Sequence, residues 1–135
     1  MKLSSGLFYL LAWPLMALAG ILNGVIRVYG YGPHMSELAG HQVSTLIALL
    51  LFLGFVWVLT GIKAPSGRRE ALGLGLMWLL LTVLFEFGFG HWVAGHSWEA
   101  LLHDYDITSG RLWVLVPLWI TVLPLLCLEL RRRKS

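Results

Sequence analysis

Four long apolar runs constrain this chain more than any other feature. A helix crossing the hydrocarbon core of a bilayer needs about 20 mostly apolar residues. Runs of that kind cover roughly residues 7–29, 41–62, 71–90 and 112–130. They are too continuous for barrel strands, which alternate over about ten residues. Helix is the only other way to satisfy backbone polar groups in lipid. Composition agrees: 58% of the residues are hydrophobic, 13% are charged, and the mean hydropathy is +0.77. A soluble domain is about 45–50% apolar and about 25% charged. A chain of 135 residues has no soluble core large enough to hide this excess. Disorder is excluded for the same reason, and the single cysteine, Cys127, excludes a disulfide scaffold.

The first run, with Lys2 before it and Ala17-Leu18-Ala19 within it, has the outline of a cleavable signal peptide. The apolar sequence continues past that point through Ile21, Leu22, Val25 and Ile26, so it is read as an uncleaved first span.

The basic residues orient the spans. Lys2, Lys63, Arg68, Arg69, Arg131, Arg132, Arg133 and Lys134 fall on one side, and only Arg27 and Arg111 on the other. The positive-inside rule places both termini and the 63–70 loop in the cytoplasm. The net charge of +3 thereby divides into +6 inside and −3 outside. Scattered over loop ends, the basic residues form no nucleic-acid surface, and the terminal Arg-Arg-Arg-Lys run reads as a topology anchor. The partners expected are membrane lipids, with a homo-oligomer or a larger membrane complex as further options. The outer side holds His34, His41, His91, His96 and His103 together with most of the acids.

The third connection, 91–111, is amphipathic. Trp98, Leu101, Leu102 and Tyr105 repeat at i, i+3, i+4 and i+7, with Ser97 as a candidate N-cap. This predicts a short interfacial helix; a plain loop is the alternative.

Ionisable residues at membrane depth are expensive and mark function by default. Glu86 lies about 22 Å along the third span from Ala71, in the outer third of the core. Arg27 and Arg111 fall near the same level. Asn23 and Arg27 share a face of the first span, and Glu37 and His41 begin a polar stripe on the second, with Gln42 beside it. The expected cluster pairs Glu86 with Arg27, with Asn23, His41 and Gln42 as further hydrogen-bonding partners and Arg111 as the second candidate cation. The alternative has both arginines snorkelling to the headgroups. Asp104 and Tyr105 join the candidate ligand-binding residues from the interfacial segment, with Asp104 placed to meet Arg111. The pairs Gly20/Gly24, Gly73/Gly75 and Gly88/Gly90 suit close helix contacts.

No cofactor or metal is expected. The histidines lack zinc spacing, and there is no C-x-x-C-H haem attachment; His41 and His91 are the pair a b-type haem would need. His103-Asp104-Tyr105-Asp106 is too weak a signature for an enzyme, since no nucleophile elbow or phosphate loop accompanies it. No catalytic residue is assigned. Polar residues confined to the outer half favour a blind outer pocket over a channel. Trp92, Trp98, Tyr105 and Trp113 are candidate lining for it, or else an ordinary aromatic belt.

Phe85-Glu86-Phe87, Trp98 with Leu101-Leu102, Asp104-Tyr105-Asp106 and Gly110-Arg111-Leu112-Trp113 together resemble small bacterial membrane proteins of four helices. The resemblance covers the second hairpin better than the first and implies no activity. The expectation is therefore an all-α four-helix bundle in a bacterial inner membrane, a single domain over 1–135. Its outer pocket binds, and as a further option transports, a small polar or amphipathic ligand. An accessory subunit of a membrane complex is the second reading and an enzyme acting at the outer interface the third.

Overall fold

Serine starts three of the helices. Ser4, Ser36 and Ser97 each turn a side-chain oxygen onto the amide three residues ahead, all at 3.1 Å, supplying a donor-hungry helix start with an acceptor. In a computed structural model that describes residues 4–103 and 114–134, the elements are α1 (Ser5–Ile26), α2 (Glu37–Ile62), α3 (Arg68–Gly88), α4 (Trp98–His103) and α5 (Leu115–Lys134). Helix accounts for 89% of the described residues, and none of them is in a strand. Pro14 and Pro124 lie inside α1 and α5, which continue through them.

Among the described residues, three segments are long and apolar enough to cross a membrane: Ser5–His34, Glu37–Ile62 and Arg68–Val93. The fourth expected span is described only from 114 onward, and its described part ends in Glu129 and the arginine run. A short helix follows Ser97, as expected, over α4; Tyr105, the last residue of the expected face, lies outside the described residues.

Side-chain bonds show how the long helices run. Tyr9, near the start of α1, donates from its hydroxyl to the Lys63 carbonyl just past α2, at 2.9 Å. Arg68, at the start of α3, forms a two-pronged ion pair with Glu129 near the end of α5, at 2.7 and 3.2 Å. At the opposite end, Asn23 of α1 meets Ser44 of α2. Consecutive long helices therefore run antiparallel. The start of α1, the α2–α3 turn and the end of α5 share one end, here the terminal end; Arg27, His41, Glu86 and α4 lie at the far end.

α3 packs most heavily on α5, and α2 also packs on α5, while α1 touches α2 and α3 more lightly. At the α3–α5 crossing, a Cβ added to Gly75 would sit 1.8 Å from the Thr121 carbonyl oxygen. That oxygen faces a hydrogen on the Gly75 Cα, the C–H···O contact typical of close helix crossings. Gly73, two residues away, has nothing within 4 Å.

The terminal half is densely filled. Tyr9, Val56, Trp78, Leu123 and Cys127 are fully buried there. The indole of Trp78 donates to the Tyr9 carbonyl, and that of Trp119 to the Leu49 carbonyl, both at 2.9 Å. Arg131 donates to Thr60 Oγ1 at 2.9 Å and to the Trp57 carbonyl, with its guanidinium carbon 4.0 Å from the Trp57 ring centroid. It thus ties the end of α5 to the last turn of α2.

Candidate functional site

The far half is built differently. The face of α1 that turns inward carries Tyr9, Trp13, Met16, Gly20, Asn23 and Arg27, spaced alternately by four and three residues. That repeat keeps one stripe facing a neighbouring helix. Its first members are bulky and pack; Gly20 and Gly24 carry no side chain, and space opens beside them. The result is a cavity of about 320 Å³. Its apolar wall includes Met16, Phe52, Phe85, Val116 and Ile120, and its polar lining includes Arg27, His41, Ser44, Glu86 and His96.

Two features of the backbone shape the mouth. α1 and α3 both end in five-residue π-helical segments, Arg27–Tyr31 and Phe89–Val93. A π turn widens the helix and shifts the side chains that follow around its axis, and such bulges are frequent at functional sites. Gly32 is required at the close of the first, because a Cβ there would lie 2.2 Å from the Arg27 carbonyl oxygen. After the second, Gly95 takes a positive φ of 78° and returns the chain toward α4. Leu101 of α4 then packs over the bare Cα of Gly90 and lines the cavity.

Polar side chains fix the α1–α2 wall. Asn23 is buried and donates through Nδ2 to the Ser44 carbonyl at 2.9 Å. Arg27, half-buried one turn later, donates from Nη1 to Ser44 Oγ at 3.5 Å. Thr45 turns its hydroxyl back onto the His41 carbonyl at 2.8 Å. Across the cavity floor, the Trp13 indole donates to Thr82 Oγ1 at 3.1 Å, and its ring meets Phe85 edge-on.

The sequence-selected residues fall as follows. Arg27, His41 and Glu86 line one cavity. Arg68–Glu129 and Arg132–Glu129 are ion pairs within the described residues, and the expected Glu86–Arg27 pair is not found beside them there. Arg27 leans toward α2 instead, because Asn23, one turn earlier on the same face, is already held by Ser44. Glu37 is exposed in the first turn of α2, where its charge suits the positive end of the helix dipole. Gln42 is half-buried on α2 beside His41. Asp104, Tyr105 and Arg111 lie outside the described residues, as does Trp113.

Trp92 and Trp98 stand apart from the cavity lining. Trp98 stacks on the His91 ring at 3.8 Å between centroids, and His91 bonds through Nδ1 with the His96 carbonyl at 2.9 Å. His41 lines the cavity, and His91 is not among the lining residues. Among the described residues, no group of three or more His, Cys, Asp or Glu side chains is arranged to hold a metal ion. Sequence reasoning missed Trp13, Thr82, Phe85 and His96 as lining residues. The heptad stripe on α1, and the similar spacing of Gly75, Trp78, Thr82 and Phe85 on α3, continued by Phe89 just beyond it, is the signal that points to most of them.

Comparison with protein families, curated proteins and solved structures finds no match.

Proposed function

We propose that this chain is an integral inner-membrane protein of four spans with both termini in the cytoplasm. In this reading it holds a small amphipathic ligand in a pocket within the outer half of its bundle. The observation that carries the proposal is the cavity itself: about 320 Å³, apolar along its depth, with Arg27, His41, Glu86 and His96 in its lining. Ligand sites commonly begin at about 300 Å³ and combine an apolar lining with a few placed polar groups. The orientation is supported by the eight basic residues whose sequence positions group at the terminal end. The packed terminal half, sealed by Tyr9, Val56, Trp78, Leu123 and Cys127, favours holding a ligand over conducting one.

Trp13 lies in the cavity wall and reports directly. A bromine-bearing single-chain amphiphile added to the purified protein is expected to quench a component of the emission that Trp13→Phe lacks. Gly24→Phe, which places a ring into open space beside α1, is expected to abolish that quenching without lowering thermal stability. Equal quenching in wild type and Gly24→Phe overturns the assignment of this cavity as the site.

A further inference from the structure

One side chain in the cavity lining points to the head of its occupant. Arg27 is half-buried in a lining that is mostly apolar, and its guanidinium carries five donors. Among the described residues its side-chain hydrogen bond goes to Ser44 Oγ at 3.5 Å, the outer limit of such a bond. Glu86 and His41, which share the lining, already have partners. Among the described residues no ion pair holds Arg27, and a half-buried cation with donors to spare gains from a further acceptor, more so at membrane depth. An anionic group on the ligand supplies that acceptor and uses the guanidinium fork, which matches phosphate and carboxylate geometry.

The apolar part of the cavity identifies the rest. Its 320 Å³ equals about ten water-sized units at roughly 30 Å³ each, the bulk of a short alkyl chain. Trp13, Phe52 and Ile120 offer that chain nothing to hydrogen-bond with beyond the Trp13 indole, which Thr82 already occupies. The cavity also reaches the outside of the helices. Ile21 of α1 and Phe89 beyond α3 both line it, and they are 41% and 43% exposed. In a membrane that exposed surface faces lipid.

We propose that the ligand is a single-chain amphiphile with an anionic head, entering sideways from the outer leaflet between α1 and α3. The head sits on Arg27 with His96 alongside, and the chain lies toward Trp13, Phe52 and Ile120. This assignment rests on the pocket reading above and narrows it to one chemical class. The chemistry is shared by lipid-derived phosphates, by carboxylates and by free phosphate, so the test separates them.

The experiment is calorimetric titration of the full chain, held in amphipol, with decyl phosphate, decanoate, decyl glucoside, decyltrimethylammonium and inorganic phosphate. The two anionic amphiphiles are expected to bind about tenfold or more tighter than the glucoside, the worth of one charge-assisted contact. Inorganic phosphate is expected to give no signal, because it has no chain. Arg27→Gln is expected to erase the preference for anions while leaving glucoside binding unchanged, and Arg27→Lys to retain most of it. Glucoside or ammonium binding as tight as the anions overturns the anionic assignment and leaves the pocket standing. So does an equal loss for every head group in Arg27→Gln. Phosphate binding as tightly as decyl phosphate overturns the amphiphile. If no chain-bearing probe binds wild type, the pocket reading falls and this inference with it.

Discussion

Replacing Gly75 with alanine tests the tightest helix contact in the molecule. The added Cβ would lie 1.8 Å from the Thr121 carbonyl oxygen and 2.7 Å from its carbon, both backbone atoms that no rotamer change can move. A carbon and a carbonyl oxygen approach no closer than about 3.3 Å, so α3 and α5 must part by about 1.5 Å. That separation loosens Leu74 and Trp78 on one helix and Ile120 and Leu123 on the other, all buried at this interface. Overpacking of this kind costs about 1–3 kcal/mol. Alanine's better helix propensity offsets up to about 1 kcal/mol. The expected net loss is about 1–2 kcal/mol, a fall of about tenfold in the folded-to-unfolded ratio. Reversible unfolding in mixed micelles of rising SDS content, followed by tryptophan fluorescence, measures it. Gly73→Ala is the control: with open space around that Cα, it is expected to be neutral or slightly stabilising. Indistinguishable stabilities for the two variants would refute the close crossing and the packing of α3 on α5 built around it.

Other outcomes follow from individual contacts. Arg131→Gln removes the donors to Thr60 and Trp57 and the cation over the indole; unfolding is expected to become easier by about 2 kcal/mol. Arg133→Gln, at an exposed position, is expected to stay within about 0.5 kcal/mol of wild type in the same assay. Asn23→Ala loses the interhelical bond to the Ser44 carbonyl and is expected to cost about 1 kcal/mol, in the range of such bonds between membrane helices. Cysteine placed at Ser97 is expected to react with an impermeant maleimide in intact spheroplasts, and cysteine at Ser66 only after permeabilisation. Native Cys127, fully buried, is expected to contribute little background.

Three of the four spans were legible because they depend on local quantities, run length and hydropathy. Ser97 was legible as a cap for the same reason, since capping is settled within four residues. Helical rise alone puts Glu86, Arg27 and His41 at one depth, and the three line one cavity. What Arg27 touches was not legible, because Asn23 decides it by fixing α1 against α2 through a backbone carbonyl that no side-chain pattern reveals. The glycines show the limit most clearly. Gly20/Gly24 and Gly73/Gly75 are equally small-residue faces in sequence. Gly75 meets a neighbouring backbone, whereas Gly24 faces open space. A missing side chain permits either a close contact or a void, and the choice is made by what the other helices bring to that level. The π segments at Arg27–Tyr31 and Phe89–Val93 were equally hidden, since a widened turn answers to tertiary packing more than to local propensity.

Native mass spectrometry of the chain released from lipid nanodiscs, wild type beside Gly24→Phe, tests the pocket most directly. Wild type is expected to carry one tightly held amphiphile through washing, identifiable by its mass difference, and Gly24→Phe to fly as the bare chain. A bare wild-type chain, or the same adduct on both, would contradict a ligand-holding cavity between α1 and α3.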